Sequence, residues 1–312
     1  MFVHNQGEWY LMKSVKEVVR QRLKKGEVTY VVFRYLYRMV HDFWDLTKGC
    51  FTYVYLRHKV MPIMKSTNSS LPPVMDDVNV IWVCWLQGIE QAPDIVKKCY
   101  KRLTALENHR IIVITNDNFE DYVNIPEYIL DKYNKGIISP THFSDILRAT
   151  LLYQHGGLWL DATIYLTSAI PPDIWAEKLF AFRWDNSLVP WDSFSNHFLR
   201  AHAGDIVLGS VLKGLWEYWE KNTEVRNYFL FHYLFYFAIH LDEKSRAIAH
   251  DMLTMYSEEN HILQSMLFDD YNSKTWKWIE RISFMQKLTY KFSEQKIKGK
   301  TYYMHIMSQQ NK

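Results

Sequence analysis

Residues 140–166, PTHFSDILRATLLYQHGGLWLDATIYL, decide how the rest of the chain is read. Pro140 and Thr141 suit a first helical turn, and Ile146, Leu147, Thr150 and Leu151 recur at the spacing of one helix face. Asp145 and Arg148 are three positions apart and share a face of that helix. Gly156 and Gly157 end it, since glycine readily takes the left-handed conformation of a C-terminal turn. A strand is expected next, with Trp159, Asp161, Thr163 and Tyr165 on one side and Leu158, Leu160, Ala162 and Ile164 on the other. An aspartate in so apolar a strand is costly to bury unless it binds something.

On either side of this stretch, strands alternate with helices. Residues 79–85 (NVIWVCW) and 110–115 (RIIVIT) read as buried strands, with a proline-initiated helix over 93–106 between them. Residues 179–184 (LFAFRW) suit a further strand, and 205–221, 225–241 and 243–268 suit helices, while the tail from Lys274 has no single reading. Alternation of this kind predicts an α/β fold with a Rossmann-type, mainly parallel sheet flanked by helices. Upstream, residues 9–60 read as two or three helices, with Val15, Val18, Val19 and Leu23 on one face. The polar, proline-containing stretch 66–77 (STNSSLPPVMDD) divides a helical segment, 1–65, from a main domain, 78–312.

The 312 residues are 48% hydrophobic and 23% charged, as in a folded protein, and 16% aromatic. The net charge of +3 is unevenly spread. Residues 1–65 hold 12 Lys and Arg against 5 Asp and Glu, and the remainder holds 25 against 29. A basic, aromatic-rich segment over 9–60 suits either an anionic membrane surface or plain solvation of a basic helix. Nucleic acid is disfavoured, because the body is acidic and carries no recognised binding motif. Cys50, Cys84 and Cys99 are widely spaced, which argues against a disulfide framework or a cysteine zinc site and for a reducing compartment. The N-terminus lacks the apolar run of a signal peptide, and neither Val28–Phe33 nor Tyr228–Leu241 is long enough to span a bilayer. A cytoplasmic protein, at most peripheral on the inner face of the membrane, is expected.

Ligands of open α/β sheets bind beyond the carboxyl ends of the strands. Trp85 to Gly88, Thr115 to Asp117, and Asp161 with Thr163 fall there. Neither G-x-G-x-x-G nor a P-loop is present, and no serine or cysteine nucleophile stands beside a base. Asp161 suits a divalent cation bridging a diphosphate, although Thr163 offers only a neutral oxygen where a second carboxylate would strengthen such a site. Asp145 and Arg148 act either on a bound donor or as a surface pair locking helix to strand, and Asn116 either contacts ligand or makes a turn.

Three segments together resemble a known group: IWVCWLQGIEQAPDIVKKCYKRL at 81–103, the asparagine after the second strand, and HFSDILRATLLYQHGGLWLDATI at 142–164. The chain is similar to the bacterial capsular polysaccharide synthesis proteins, relatives of the family 32 glycosyltransferases with a GT-A fold. The resemblance implies transfer of a hexose from a nucleotide-diphosphate sugar, UDP-linked by preference, to a lipid-linked or oligosaccharide acceptor with retention of configuration. It puts Trp85 and Gln87 near the base, Asp145 and Arg148 near the donor, and Asp161 at the Mn2+ or Mg2+ ion and diphosphate. Trp82, Thr115, Asn116, Gly157, Trp159, Ala162 and Thr163 complete the candidate donor set. KLTYK at 287–291 resembles the family's ending, where Lys287 either stabilises the leaving diphosphate or is an exposed lysine on a basic tail. Trp184, Asp185, Trp191, Asn196 and His232 are acceptor candidates, because aromatic faces and hydrogen-bonding groups suit sugars. Transfer of another activated group, such as a polyol phosphate, and a non-catalytic sugar-binding scaffold are the competing readings.

Overall fold

A five-stranded sheet in the order β2-β1-β3-β6-β5 forms the centre of the computed structural model, which describes residues 28–66, 71–75, 79–185 and 189–309. The strands are β1 (Val80–Cys84), β2 (Arg110–Ile114), β3 (Gly157–Leu160), β5 (Leu179–Arg183) and β6 (Phe194–Ala201). β1 runs parallel to both β2 and β3, whereas β6 is antiparallel to β3 and to β5. Four strands therefore share one direction and β6 alone is reversed, which gives the mainly parallel α/β sheet that the alternation predicts. A two-stranded sheet pairs β4 (Ile164–Leu166) with β7 (Met285–Lys287).

Alternation along each strand divides the core into two layers. Val80, Trp82, Ile112, Ile114, Trp159, Leu179, Ala181 and Leu199 face one layer, with α3 (Pro140–His155), α4 (Ile206–Lys221) and α5 (Leu230–Ile239). Ile81, Val83, Leu158, Leu160, Phe180, Phe182 and Phe198 face the other, with α2 (Asp94–Leu106), α6 (Ser273–Ile282) and α7 (Tyr302–Ser308).

Upstream, the described part of the N-terminal segment is a long helix, α1 (Val28–Lys59), followed by a short one over Met61–Lys65; residues 9–27 of the expected helical stretch, with the face of Val15 to Leu23, lie outside the described residues. Leu56, Val60 and Met64 are buried in the same layer as α4 and α5, so the end of this segment belongs to the main core. The segment 243–268, expected to be one helix, breaks after Asp251. No helix among the described residues is long and apolar enough to cross a membrane.

Between β3 and β4 the single strand expected from the sequence is interrupted. Asp161 leaves the ladder, Ala162 and Thr163 form a turn, and the Ile164 amide closes it onto the Asp161 carbonyl at 2.9 Å. Trp159 consequently faces the first layer while Tyr165 faces the second, against the expected common side. The turn carries the Asp161 carboxylate out beyond the end of β3.

Candidate active site

A cleft of about 580 Å³ opens at the carboxyl ends of β1 and β3. Its walls include Trp85 and Gln87 after β1, Asp145 and Arg148 from α3, and Trp159, Asp161, Ala162 and Thr163 from the β3 turn. Asn196 of β6, His232 of α5 and Lys287 of β7 complete the ring of sequence candidates.

The local chain explains why α3 delivers its charges here. Ser139 caps the helix by accepting from the His142 amide, Pro140 sits in the first turn, and Gly156 ends it at φ +65°. Asp145 and Arg148 are one turn apart and both buried. The Arg148 guanidinium donates to Asp145 Oδ1 at 2.5 Å and to Asp161 Oδ1 at 3.0 Å. It also lies over the Trp159 ring at 4.7 Å and the Phe231 ring at 5.5 Å. Asn196 Nδ2 donates to Asp145 Oδ1 at 3.0 Å.

Both oxygens of Asp161 are engaged. Oδ1 accepts from the Trp159 indole at 2.8 Å as well as from Arg148, and Oδ2 accepts from Lys287 Nζ at 2.5 Å. β7 holds Lys287 opposite Ile164, three residues beyond Asp161, and the Leu288 amide binds the Thr163 carbonyl at 2.9 Å. Burial works to raise the Asp161 carboxyl, but Lys287 and Arg148, with the bonds from Lys287 and Trp159, outweigh it and hold the group well below the usual carboxylate range. It stays an anion between two cations.

The donor set does not fit a divalent cation as it stands. Asp161 is the carboxylate at this point, its oxygens face guanidinium, indole and ammonium, and Thr163 adds only a neutral hydroxyl. Among the described residues no group of three acidic, histidine or cysteine side chains is arranged to hold a metal. A dication here would sit beside two positive groups within hydrogen-bond distance of its one carboxylate.

His232 has an unpartnered Nδ1, and burial lowers its pKa to about 4, so the ring is neutral at physiological pH. Deeper, His197 and His261 meet edge to face at 5.2 Å; burial lowers both, His261 to about 4. Gln264 lines the cleft with its Oε1 unpartnered.

Several sequence candidates lie elsewhere. Trp82 points into the core, 2% exposed, and its indole donates to the Gly156 carbonyl at 2.9 Å. Gly157 is a packing position, since a Cβ there would come within 2.8 Å of the Val80 carbonyl oxygen. Thr115 starts a turn, its amide donating to Asn118 Oδ1 at 2.8 Å. Asn116 faces a neighbouring hollow, where its Oδ1 accepts from the Tyr133 hydroxyl at 2.9 Å. Trp184 packs on His261, the Asp185 amide donates to Glu258, and Trp191 lies between Tyr53 and Tyr233, so none of these three lines the cleft. Pattern reading missed Tyr228, Gln264, Tyr290 and Lys291, which do. Tyr290 meets Trp85 edge to face at 5.3 Å, and its place three residues after Lys287 in the KLTYK segment was the available signal.

A family model, described as capsular polysaccharide synthesis protein, matches residues 48–306. The chain belongs to this family. The match starts within α1, at the point where Gly49 and Leu56 join the core, and takes in every cleft residue named above. Among solved structures the chain is similar to the PaToxG glycosyltransferase, at 16% identity and a TM-score of 0.36, over 66% of this chain and 85% of that one. No curated protein matches the chain.

Proposed function

We propose that this member of the capsular polysaccharide synthesis family is a glycosyltransferase. It moves a hexose from a nucleoside diphosphate sugar, preferably a UDP-sugar, to a glycan or lipid-linked acceptor during surface polysaccharide assembly. The observation that carries this reading is the continuous charge chain Asp145–Arg148–Asp161–Lys287 along one cleft wall, with Trp85 and Tyr290 at its mouth. A nucleotide sugar needs an aromatic face for its base, cations for its diphosphate and carboxylates for its sugar hydroxyls.

In this reading Arg148 is a positioning residue, buried and committed to two carboxylates, and the diphosphate falls to Lys287 and Lys291. Asp145 Oδ1 is filled by Arg148 and Asn196, so Oδ2 accepts from donor hydroxyls. The transfer proceeds on one face of the sugar. The bond from C1 to the diphosphate oxygen breaks, the acceptor oxygen bonds to C1 from the same side, and the acceptor proton passes to the departing diphosphate. Configuration is retained without an enzyme nucleophile. Lys287 shifts from Asp161 Oδ2 to the leaving oxygen as charge grows there.

Purified protein assayed with a panel of nucleotide sugars, against Asp161→Ala, tests the proposal. Donor-dependent thermal stabilisation followed by transfer from the same donor is expected of the wild type, and loss of transfer of the variant. Undiminished transfer by Asp161→Ala would remove the charge chain from the reaction.

A further inference from the structure

The solvent side of α1 carries an apolar stripe that nothing in the described structure covers. Val40, Trp44, Phe51 and Val54 fall within one narrow arc of the helix and are 68%, 58%, 72% and 52% exposed. The opposite side, with Gly49, Thr52, Leu56 and Val60, is buried. A helix so divided has one face for the protein and another for a different apolar phase.

Charge identifies that phase. Over residues 40–65 Lys48, Arg57, Lys59 and Lys65 outnumber the two carboxylates Asp42 and Asp45, and Lys48 lies over the Trp44 ring at 5.5 Å. Tryptophan and phenylalanine flanked by lysine and arginine suit the boundary between acyl chains and anionic headgroups. A second copy of the chain would bring the same positive flanks together, which opposes self-association through this face.

We propose that α1 docks on an anionic phospholipid bilayer through Val40, Trp44, Phe51 and Val54, with Lys48, Arg57 and Lys59 at the headgroups. The helix packs on an element that lines the cleft. Tyr233 of α5 hydrogen-bonds the Gly49 carbonyl at 3.2 Å, and His232, its neighbour, lines the cleft. Docking would thus hold the cleft at the surface where a lipid-linked acceptor resides. The inference stands on the exposed face and its charge and needs no particular transfer reaction.

Co-sedimentation of the full chain with phosphatidylcholine vesicles, with and without phosphatidylglycerol, is the test. The expected result is binding to the anionic vesicles alone, weakened by high salt. The double variant Trp44→Glu, Phe51→Glu should lower vesicle affinity by roughly tenfold or more, with thermal stability and nucleotide-sugar binding unchanged. The charge variant Lys48→Glu, Arg57→Glu, Lys59→Glu should abolish the preference for anionic lipid. Equal binding to neutral vesicles, no binding, or wild-type binding by the Trp44/Phe51 variant would overturn the proposal. So would a wild-type dimer that this variant converts to a monomer, which would make the stripe a self-association face.

Discussion

Lys287 and Asp161 are 126 residues apart in the chain and meet in a 2.5 Å ion pair at the centre of the cleft. The pairing of β4 with β7 enforces the meeting, since Lys287 lies opposite Ile164 and the Asp161 turn immediately precedes that strand. An ammonium held beside a carboxylate is charged, correctly placed and able to transfer its bond to a phosphate oxygen. Lys287→Met should therefore lower kcat for sugar transfer by about a hundredfold to a thousandfold, the usual loss of one charge-stabilising donor. Acceptor KM should change little, and Lys287→Arg should recover part of the rate. Steady-state kinetics with saturating donor give the answer, and a kcat within a few-fold of wild type in Lys287→Met would reduce the lysine to a structural partner of Asp161.

The second prediction concerns metal. With both oxygens of Asp161 taken by Arg148, Trp159 and Lys287, and Thr163 where a second acid would stand, the cleft has cations of its own for the diphosphate. UDP binding measured by calorimetry should keep the same affinity in EDTA and in Mn2+, and transfer should proceed in chelator. Activity lost in EDTA and restored by Mn2+ would show that Lys287 leaves Asp161 to a metal ion in the working enzyme.

Much of this site is legible in the sequence because it sits on short-range patterns. The Pro140-Thr141 start, the 3-residue spacing of Asp145 and Arg148 and the Gly-Gly stop are local, and each appears in the structure as read. β6 is not legible in the same way. Its sequence FSNHFLRA buries Ser195, His197 and Arg200, and polar side chains inside the core erase the alternation that marks a strand. The Asp161 turn was hidden for the opposite reason. GLWLDATIYL alternates well enough to continue as one strand, and only pairing with distant β7 breaks it. Trp184 and Trp191 show a third limit: a tryptophan beside polar residues looks the same whether it meets a sugar or, like Trp191, a tyrosine of another helix.

Gly157 offers a test of the close approach that fixes this geometry. At φ +91° a side chain is strained, and its Cβ would lie 2.8 Å from the Val80 carbonyl oxygen and 3.0 Å from Trp82 Nε1. Because β1 and β3 are adjacent strands, neither contact can relax without moving the sheet. Gly157→Ala should destabilise the fold by about 2–4 kcal/mol, read as a lower urea midpoint at unchanged slope. A midpoint equal to wild type would mean the two strands separate more easily than their packing implies.

Asp192 makes stability depend on pH near neutrality. It is buried in the turn before β6, and burial pushes its pKa up to about 7. In the unfolded chain it titrates near 4, so between about pH 4 and 7 the folded state holds a proton that the unfolded state has released. The unfolded state thus binds fewer protons, and stability falls as pH rises through that window, by up to about 4 kcal/mol before it levels off. Asp192→Asn keeps the shape and removes the charge that must be desolvated. Its advantage over wild type should be small at pH 4 and grow until about pH 7, which urea unfolding at a series of pH values would display. Parallel stability curves for the two proteins would mean that Asp192 ionises in the folded state as readily as in the unfolded one.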